Sequence, residues 1–316
     1  MSILHAILLL PLLGVIAILL GIPSRFSALA VSVANLVLGL VVWMKFDRNL
    51  AAGTFDAMGS VPYPLLESPN LSLSFGVDGM SVIMLLLSVI VTVCAVWLSP
   101  KATQIGERHK LFYICVLLIS CGATGAFLST DLFFFYAFHE LALIPTFIMI
   151  GLMGHGTDRV RIAWKVTIYL GFGSMILLAG LLALLIQVGD SATFSFVELA
   201  EHAKSGDIAA STQKWIFITL LIGFGVLISL FPFHSWAAPA YAAAPTPVAM
   251  LHAGVLKKFG LYGLMRVAIP LLPNGIDEWT KNLVLVLLLG NIIYIGLVTI
   301  AQNRLDRMLG YSSVMH

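Results

Sequence analysis

The stretch STDLFFFYAFHELALIPTFIMIGLMG, Ser129–Gly154, has the length of a membrane-spanning helix and carries an acid, Glu140, near its middle. Insertion of a carboxylate at that depth costs roughly 3 kcal/mol unless the side chain faces other helices, with a partner or water nearby. Pro145 has no N–H to donate to the carbonyl of Leu141, so an acceptor lies close to the acid. The stretch therefore indicates an ion or proton site. The alternative is a protonated Glu140 that a neighbouring helix satisfies.

The composition is that of a polytopic membrane protein. Apolar residues make up 60% of the 316 residues and charged residues 10%, against roughly 25% charged in soluble proteins. This length accommodates about nine or ten helices of roughly 20 residues each. The net charge of +2 is too small to indicate a nucleic-acid partner. The apolar start, Ile3–Leu20, lacks the basic region and cleavage site of a signal peptide, so we expect a retained first helix.

Apolar runs and turn residues predict about ten transmembrane helices. Predicted helices 1 to 9 cover approximately Ile3–Gly21, Ser27–Phe46, Gly79–Leu98, Leu111–Leu128, Leu132–Met153, Ile162–Val188, Lys214–Pro232, Val248–Ile269 and Leu283–Ala301, and helix 10 begins at Leu305.

Three segments beside these helices carry further signals. Asp47–Val77 is predicted to be an exposed loop, with a hairpin around residues 62–64. Thr130 or Asp131 is expected to cap helix 5. Ser191–Lys204 is amphipathic and is expected to lie along the membrane interface.

Helix 7 is predicted to be broken. It meets Pro232 within LFPFHSW (230–236), and the following AAPAYAAAPTP (237–247) holds three more prolines and no charge. An uncharged, proline-rich connection between two spans is typical of a broken or re-entrant segment that lines a cavity.

Ionisable side chains recur away from the ends of the predicted spans. They are Glu140, Lys165, His234, His252, Lys257 and Lys258, with His316 on helix 10. A buried lysine gives up its proton readily and histidine titrates near neutral pH, so both suit a proton carrier. The set predicts a lateral, hydrated proton relay through the bundle. No metal site is expected, because no two of these residues have a spacing such as His-x-x-x-His.

Several of these residues also have a simpler interpretation. Lys165 lies within a turn of the preceding loop and could snorkel to the interface. His234 adjoins Pro232 and could do no more than satisfy carbonyls of the broken helix. Lys257 and Lys258 lie about 100° apart on a helix, so we expect one of them to face lipid or the interface.

Six segments, in order over most of the chain, share one family's pattern. FYAFHELALIP (135–145) fits Phe-x-x-x-Trp-Glu-x-x-Leu-x-Pro, with His139 in the place of Trp. The other five are RIAWK (161–165), FPFHSW (231–236), APTP (244–247), AGVLKKFGLYGLMR (253–266) and DRMLGYSSVMH (306–316). Together they resemble the antiporter-like membrane subunits of respiratory complex I, of the subunit-M or chain-4 type of NADH–quinone oxidoreductase.

The resemblance implies an all-α fold of inverted five-helix repeats, helices 4–8 and 9–13, each with a broken helix. The chain would then divide into N-terminal helices over residues 1–110, a first repeat over 111–270 and an incomplete second repeat over 271–316. The resemblance implies a role in proton translocation coupled to quinone reduction, as one subunit of an enzyme complex. Flavin, iron–sulfur clusters and quinone would belong to partner subunits, so no cofactor is expected in this chain.

The resemblance also implies a setting and roles for individual residues. The partners would be other membrane-arm subunits, in a bacterial inner membrane or, alternatively, the mitochondrial inner membrane. By position, Glu140 would modulate a neighbouring lysine, Lys258 would be the central lysine of helix 8, and His316 would be the onward relay residue.

The sequence departs from the family pattern in ways that bear on mechanism. The family's lysine on helix 7 corresponds to Leu227, and Lys214 is thirteen residues away, or about 20 Å along a helix. The family's acidic residue in the broken segment corresponds to Pro239. The chain also stops within the family's second repeat, so independent pumping by this chain is not expected.

Two further functions fit the same residues. One is a subunit of a multi-subunit cation/proton antiporter or a membrane-bound hydrogenase, which share these motifs. The other is a degenerate scaffold subunit, which the leucine at position 227 favours.

Overall fold

The computed structural model describes residues 2–51, 53–66, 70–99, 108–189, 193–205 and 208–316. Helical residues make up 77% of the chain. The chain divides into two compact units. The first comprises Met1–Glu67, Leu71–Met149 and Pro245–Leu256, and the second comprises Ser68–Asn70, Ile150–Ala244 and Lys257–His316.

The N-terminal part of the chain forms a helical bundle with one small sheet. Its helices are α1 Ile3–Leu19, α2 Ser24–Lys45, α3 Gly79–Trp97, α4 His109–Leu128 and α5 Leu132–Met153. An antiparallel pair of strands, β1 Tyr63–Leu66 and β2 Leu71–Leu73, lies within the predicted loop, but residues 63–64 belong to a strand and not to the turn of the predicted hairpin. The bounds of these five helices lie within three residues of the predicted ones.

In the first unit α4 packs against α1, α2 and α3. Small polar side chains connect these helices inside the apolar core. The amide of Asn35 donates to the carbonyl of Ile7 at 3.0 Å, and Ser27 donates to the carbonyl of Gly14 at 3.2 Å. Such interhelical hydrogen bonds stabilise bundles in which apolar side chains face both lipid and neighbouring helices.

Asp131 determines where α5 begins. Its Oδ1 atom accepts hydrogen bonds from the backbone N–H groups of Phe133 at 2.9 Å and Phe134 at 3.2 Å. These are two of the four donors that the start of a helix leaves unpaired. Asp131 is therefore the cap that the sequence predicted as one of two candidates.

The remaining helices include several short α-helices and three π turns. The order is α6 Arg159–Val188, α7 Phe196–Ser205, α8 Ala210–Leu227, α9 Ala237–Ala243, α10 Thr246–Leu251, π1 His252–Leu256, α11 Lys257–Gly263, π2 Leu264–Ala268, α12 Ile269–Leu271, α13 Glu278–Leu289, π3 Gly290–Ile295, α14 Gly296–Ile300 and α15 Leu305–Met315. Predicted helix 7 corresponds to α8 and predicted helix 10 to α15. The amphipathic prediction corresponds to α7, whose Phe196, Leu199 and Ala203 are buried; residues 191–192 of that prediction lie outside the described residues.

Seven helical stretches of the described residues have the length and composition to cross a membrane. They are α2, α3, α4, α5, α6, α8 and the continuous stretch Glu278–Ile300. Helix α1 is as apolar but has 17 residues. The protein is thus a polytopic, mainly helical membrane protein, as predicted, while the number of about ten spans stays a prediction.

Candidate functional site

The break between α8 and α9 organises the site in the second unit. Helix α8 ends at Leu227 and α9 begins at Ala237, and Ser229 between them has a φ of 56°. A break frees backbone carbonyls that a continuous helix would pair. The fully buried indole of Trp236 donates to one of them, the carbonyl of Val226, at 3.1 Å. The predicted break in helix 7 is therefore present, and a side chain from within the break supports it.

Lys165, on α6, binds to this break. Its Nζ atom donates to the backbone carbonyl of Ser235 at 2.8 Å. The hydroxyl of Ser235 in turn donates to the hydroxyl of Tyr169 at 3.0 Å, and Lys165 Nζ lies 5.7 Å from the centre of the Tyr169 ring. The ammonium group thus points to the broken helix and does not snorkel along α6 to the preceding loop.

His234 lies in an aromatic cluster beside this contact. Its ring stacks on Phe231 with centroids 5.8 Å apart and meets the ring of Tyr294 edge-on at 5.6 Å. These contacts fix the plane of the imidazole within the break. The sequence singled out His234 but gave no sign of the Tyr294 contact, because that residue follows 60 positions later.

Asn291 connects the break to the C-terminal helix. Its Oδ1 atom accepts from the backbone N–H of Phe231 at 2.6 Å, and its Nδ2 atom donates to the carbonyl of Val314 at 3.2 Å. Asn291 lies in π3, and the preceding Gly290 has no room for a side chain, because a Cβ atom there would lie 2.6 Å from the Phe231 ring. Single π turns inside α-helices are frequent at functional sites. Sequence reasoning missed Asn291; its signal was a lone amide in an apolar span.

The two adjacent lysines of α11 have different surroundings. Lys257 is buried, and its Nζ atom donates to the backbone carbonyl of Ser313 in α15 at 2.8 Å. Lys258 is half-buried, and its side chain makes no hydrogen bond with the residues that the structure describes. At the C-terminal end of α15, Nδ1 of the exposed His316 lies 2.8 Å from the carbonyl of Ser312. Lys258, which the resemblance implies to be the central lysine of helix 8, is thus less buried than Lys257.

Leu227 and Pro239, the two departures from the family pattern, occupy defined places in the second unit. Leu227 is buried and packs against Gly260 of α11. Pro239 lies in α9 and lines a cavity of about 550 Å³. The predicted cavity along the broken segment is therefore present.

Glu140 belongs to the first unit, on α5. Its side chain is 34% exposed, and its Oε1 atom lies 3.4 Å from Nδ1 of His139, whose side chain is 2% exposed. His252 also belongs to the first unit: it is buried in π1, which packs against α3. Sequence reasoning did not include His139 among the site residues, although its departure from the usual Trp was the available signal.

In this bundle of apolar helices, the half-buried Lys165 binds to the broken helix and the buried Lys257 binds to α15. These features define a class of protein: a polytopic membrane protein with ionisable groups inside its helical bundle. Residues 129–316 match the family described as NADH:quinone oxidoreductase/Mrp antiporter, TM. The chain belongs to this family.

Individual relatives agree with this assignment. The chain is 35% identical to the NAD(P)H-quinone oxidoreductase chain 4 3 of Picosynechococcus sp. over 99% of its own length and 56% of that protein. It superposes with a TM-score of 0.83 on a chain of respiratory complex I from Thermus thermophilus with bound NADH, at 25% identity over 99% of this chain and 62% of that chain. A chain of the Mrp complex from Dietzia sp. shares the fold, with a TM-score of 0.77 and 20% identity over 100% and 57% of the two chains. The chain therefore spans little more than half the length of the relatives that it matches.

Proposed function

We propose that this chain is a membrane-arm subunit of a complex I-type NADH–quinone oxidoreductase and takes part in proton translocation coupled to quinone reduction. Membership of the family supports the assignment. The observation that carries it is the 2.8 Å contact between Lys165 Nζ and the Ser235 carbonyl in the broken helix. A cation that binds to the freed carbonyls of a break can hold or release a proton as the break changes shape.

The residues of the second unit supply the steps of this route. Lys165 holds a proton at the Ser235 carbonyl, beside the His234 ring. Asn291 fixes the position of the break relative to α15, and Lys257 holds a proton at the carbonyl of Ser313. Water must bridge the gaps between these groups, because direct hydrogen bonds do not join Lys165 to Lys257 among the described residues. Redox chemistry would take place on partner subunits.

Glu140, in the first unit, has a role separate from the route through the second unit. Glu140 would have the role that the family pattern implies for it, in which its carboxylate modulates a neighbouring lysine. His139 is the imidazole in contact with this carboxylate. Lys258 and His316, together with His252, remain candidates from the sequence for further steps. The partners would be other membrane-arm subunits, with flavin, iron–sulfur clusters and quinone on those chains. The expected location is the bacterial inner membrane, with the mitochondrial inner membrane as the alternative.

Measurement of protons translocated per electron in vesicles that contain the assembled complex tests this proposal. We expect Glu140→Gln and Lys165→Gln each to lower the ratio severalfold, while electron transfer to quinone continues. Lys204→Gln, which changes an exposed lysine of α7, is the matched control and should leave the ratio unchanged. An unchanged ratio in both site variants would contradict the proton role and favour the scaffold function.

A cation/proton antiporter subunit is the second candidate, and the inclusion of Mrp antiporters in the matched family favours it. Vesicles without quinone or NADH distinguish the two. Proton flux that depends on a sodium gradient under those conditions would support the antiporter, whereas flux that requires electron transfer supports the complex I-type subunit.

A further inference from the structure

A cationic cleft in the second unit shares Lys165 with the proposed proton route and adds two arginines, Arg161 and Arg307, that the route does not use. The cavity of about 550 Å³ is lined by Asp158, Arg161, Ile162, Trp164, Lys165, Ile168, Tyr169, Pro239 and Arg307. Three of these side chains are cations and one is a carboxylate. A second cavity of about 180 Å³ shares part of this wall, including Asp158 and Arg307, and adds His155 and Arg304.

Two guanidinium groups in the cleft are available to bind a ligand. Arg161 and Arg307 are exposed, and neither forms an ion pair within the part of the chain that the structure describes. Lys165 is already bound to Ser235, and Arg304 pairs with Asp306 at 2.6 Å. The planar, five-donor guanidinium group matches the geometry of phosphate oxygens, so two such groups in a cleft favour a phosphate ligand.

An exposed apolar stripe on α6 runs away from the same cleft. It begins with Trp164 and Ile168, which line the cleft and are 56% and 64% exposed, and continues through Phe172 and Met175, which are 63% and 71% exposed. Residues three or four apart lie on one face of a helix. The face continues to Ile186, at 74% exposure, so the stripe is about 33 Å long at 1.5 Å per residue, or about the thickness of the hydrocarbon core of a bilayer.

We propose that this cleft binds the headgroup of an anionic phospholipid, with its acyl chains along the exposed stripe of α6. Basic pockets at the ends of transmembrane helices are suited to such headgroups. The stripe favours a lipid over a free phosphate ion. The acyl chains of a lipid can cover the apolar surface that leads out of the cleft, whereas a phosphate ion has no apolar part. Trp164 lies where the cleft meets the stripe, and tryptophan is enriched at the headgroup level of membranes. The two arginines that would bind the headgroup take no part in the proposed proton route.

Retention of lipid by the assembled complex tests the site. The complex is reconstituted in nanodiscs of phosphatidylglycerol and phosphatidylcholine with identical acyl chains, and the lipids that remain bound are identified by native mass spectrometry. We expect preferential retention of phosphatidylglycerol and a severalfold loss of that preference in the double variant Arg161→Gln, Arg307→Gln. Arg48→Gln changes an exposed arginine of the first unit and should retain the lipid as wild type does.

Three results would overturn the proposal. Retention by the double variant equal to that of wild type would show that the cleft does not bind the headgroup. Displacement of the lipid by inorganic phosphate would make the cleft a simple anion site. Brominated phosphatidylglycerol quenches the fluorescence of tryptophans that it contacts. If it quenches the tryptophan fluorescence of wild type and of Trp164→Phe equally, a neighbouring subunit, and not lipid, covers the stripe. If the double variant does not assemble, the single variant Arg307→Gln and the quenching measurement on the wild-type complex decide the question. None of these measurements requires proton pumping.

Discussion

The Nδ1 atom of His139 lies 3.4 Å from Oε1 of Glu140, on adjacent residues of α5. Successive residues of a helix point about 100° apart, so this contact requires both side chains to turn towards each other. The imidazole is buried whereas the carboxylate is half-exposed. The buried imidazole therefore forms one wall of the surroundings of the carboxylate.

This contact leads to a prediction for His139. His139→Phe keeps a ring but removes both nitrogens, and we expect a severalfold lower proton translocation per electron, because Glu140 loses the imidazole nitrogen that lies 3.4 Å from its carboxylate. The ratio is measured in vesicles, with the half-buried His202→Phe of α7 as control. Normal translocation in a fully assembled His139→Phe complex would mean that the contact is structural only.

Lys257 is expected to contribute to function at the expense of stability. Removal of a buried charge relieves the cost of keeping that charge out of water, and this gain offsets the loss of the bond to the Ser313 carbonyl. We therefore expect Lys257→Met to leave the thermal unfolding midpoint unchanged or raised while proton translocation falls severalfold. Lys258→Met, on a half-buried neighbour, is the matched comparison. A large loss of thermal stability in Lys257→Met would instead identify the 2.8 Å bond to the Ser313 carbonyl as a structural requirement.

Trp236 is predicted to stabilise the break. Trp236→Phe removes the indole N–H and leaves the Val226 carbonyl without this donor, at a cost of about 1–3 kcal/mol. Thermal unfolding in detergent should show a lower midpoint for this variant. Trp97→Phe is the control, because that side chain is 66% exposed. Equal midpoints for the two variants would indicate that water replaces the indole at Val226.

Asn291 is predicted to hold the break and α15 together. Asn291→Ala removes the acceptor of the Phe231 N–H and the donor to the Val314 carbonyl, so we expect both a lower unfolding midpoint and faster hydrogen exchange at these backbone groups. The exposed Asn303→Ala provides the control. Exchange at Phe231 that is as slow as in wild type would show that another group satisfies this N–H.

Asp277 gives a pH-dependent prediction outside the spans. The Lys214 ammonium at 2.7 Å and the donors of Thr280 hold the pKa of Asp277 well below its usual range. A carboxylate with a lowered folded-state pKa stabilises the protein fully above its unfolded pKa, and this contribution is lost as the pH falls. The unfolding midpoint of wild type should therefore fall more steeply below about pH 4 than that of Asp277→Asn. Parallel pH profiles would refute the ion pair as a source of stability.

Much of the fold was predictable because lipid restricts the possible structures. Only helices and closed barrels satisfy their backbone hydrogen bonds in a bilayer, so apolar runs predicted α1 to α6 within a few residues of their observed ends. Capping chemistry predicted Asp131 as one of two candidates for the cap of α5, and the start of α15 at Leu305 was also predicted. The length of α13 and α14 was less visible, because Glu278 and Lys281 reduce the apolar signal where the helix begins.

The sequence by itself determined that this is a helical membrane protein that resembles the antiporter-like subunits, with a helix broken near Pro232 and rare ionisable residues inside apolar spans. The tertiary structure alone decided what those residues contact: Ser235 for Lys165, and Ser313 for Lys257. The reason is physical. Apolar periodicity and proline are local signals, whereas the partner of a buried cation is a backbone carbonyl freed by a break or helix end, and no residue type records which carbonyl that is.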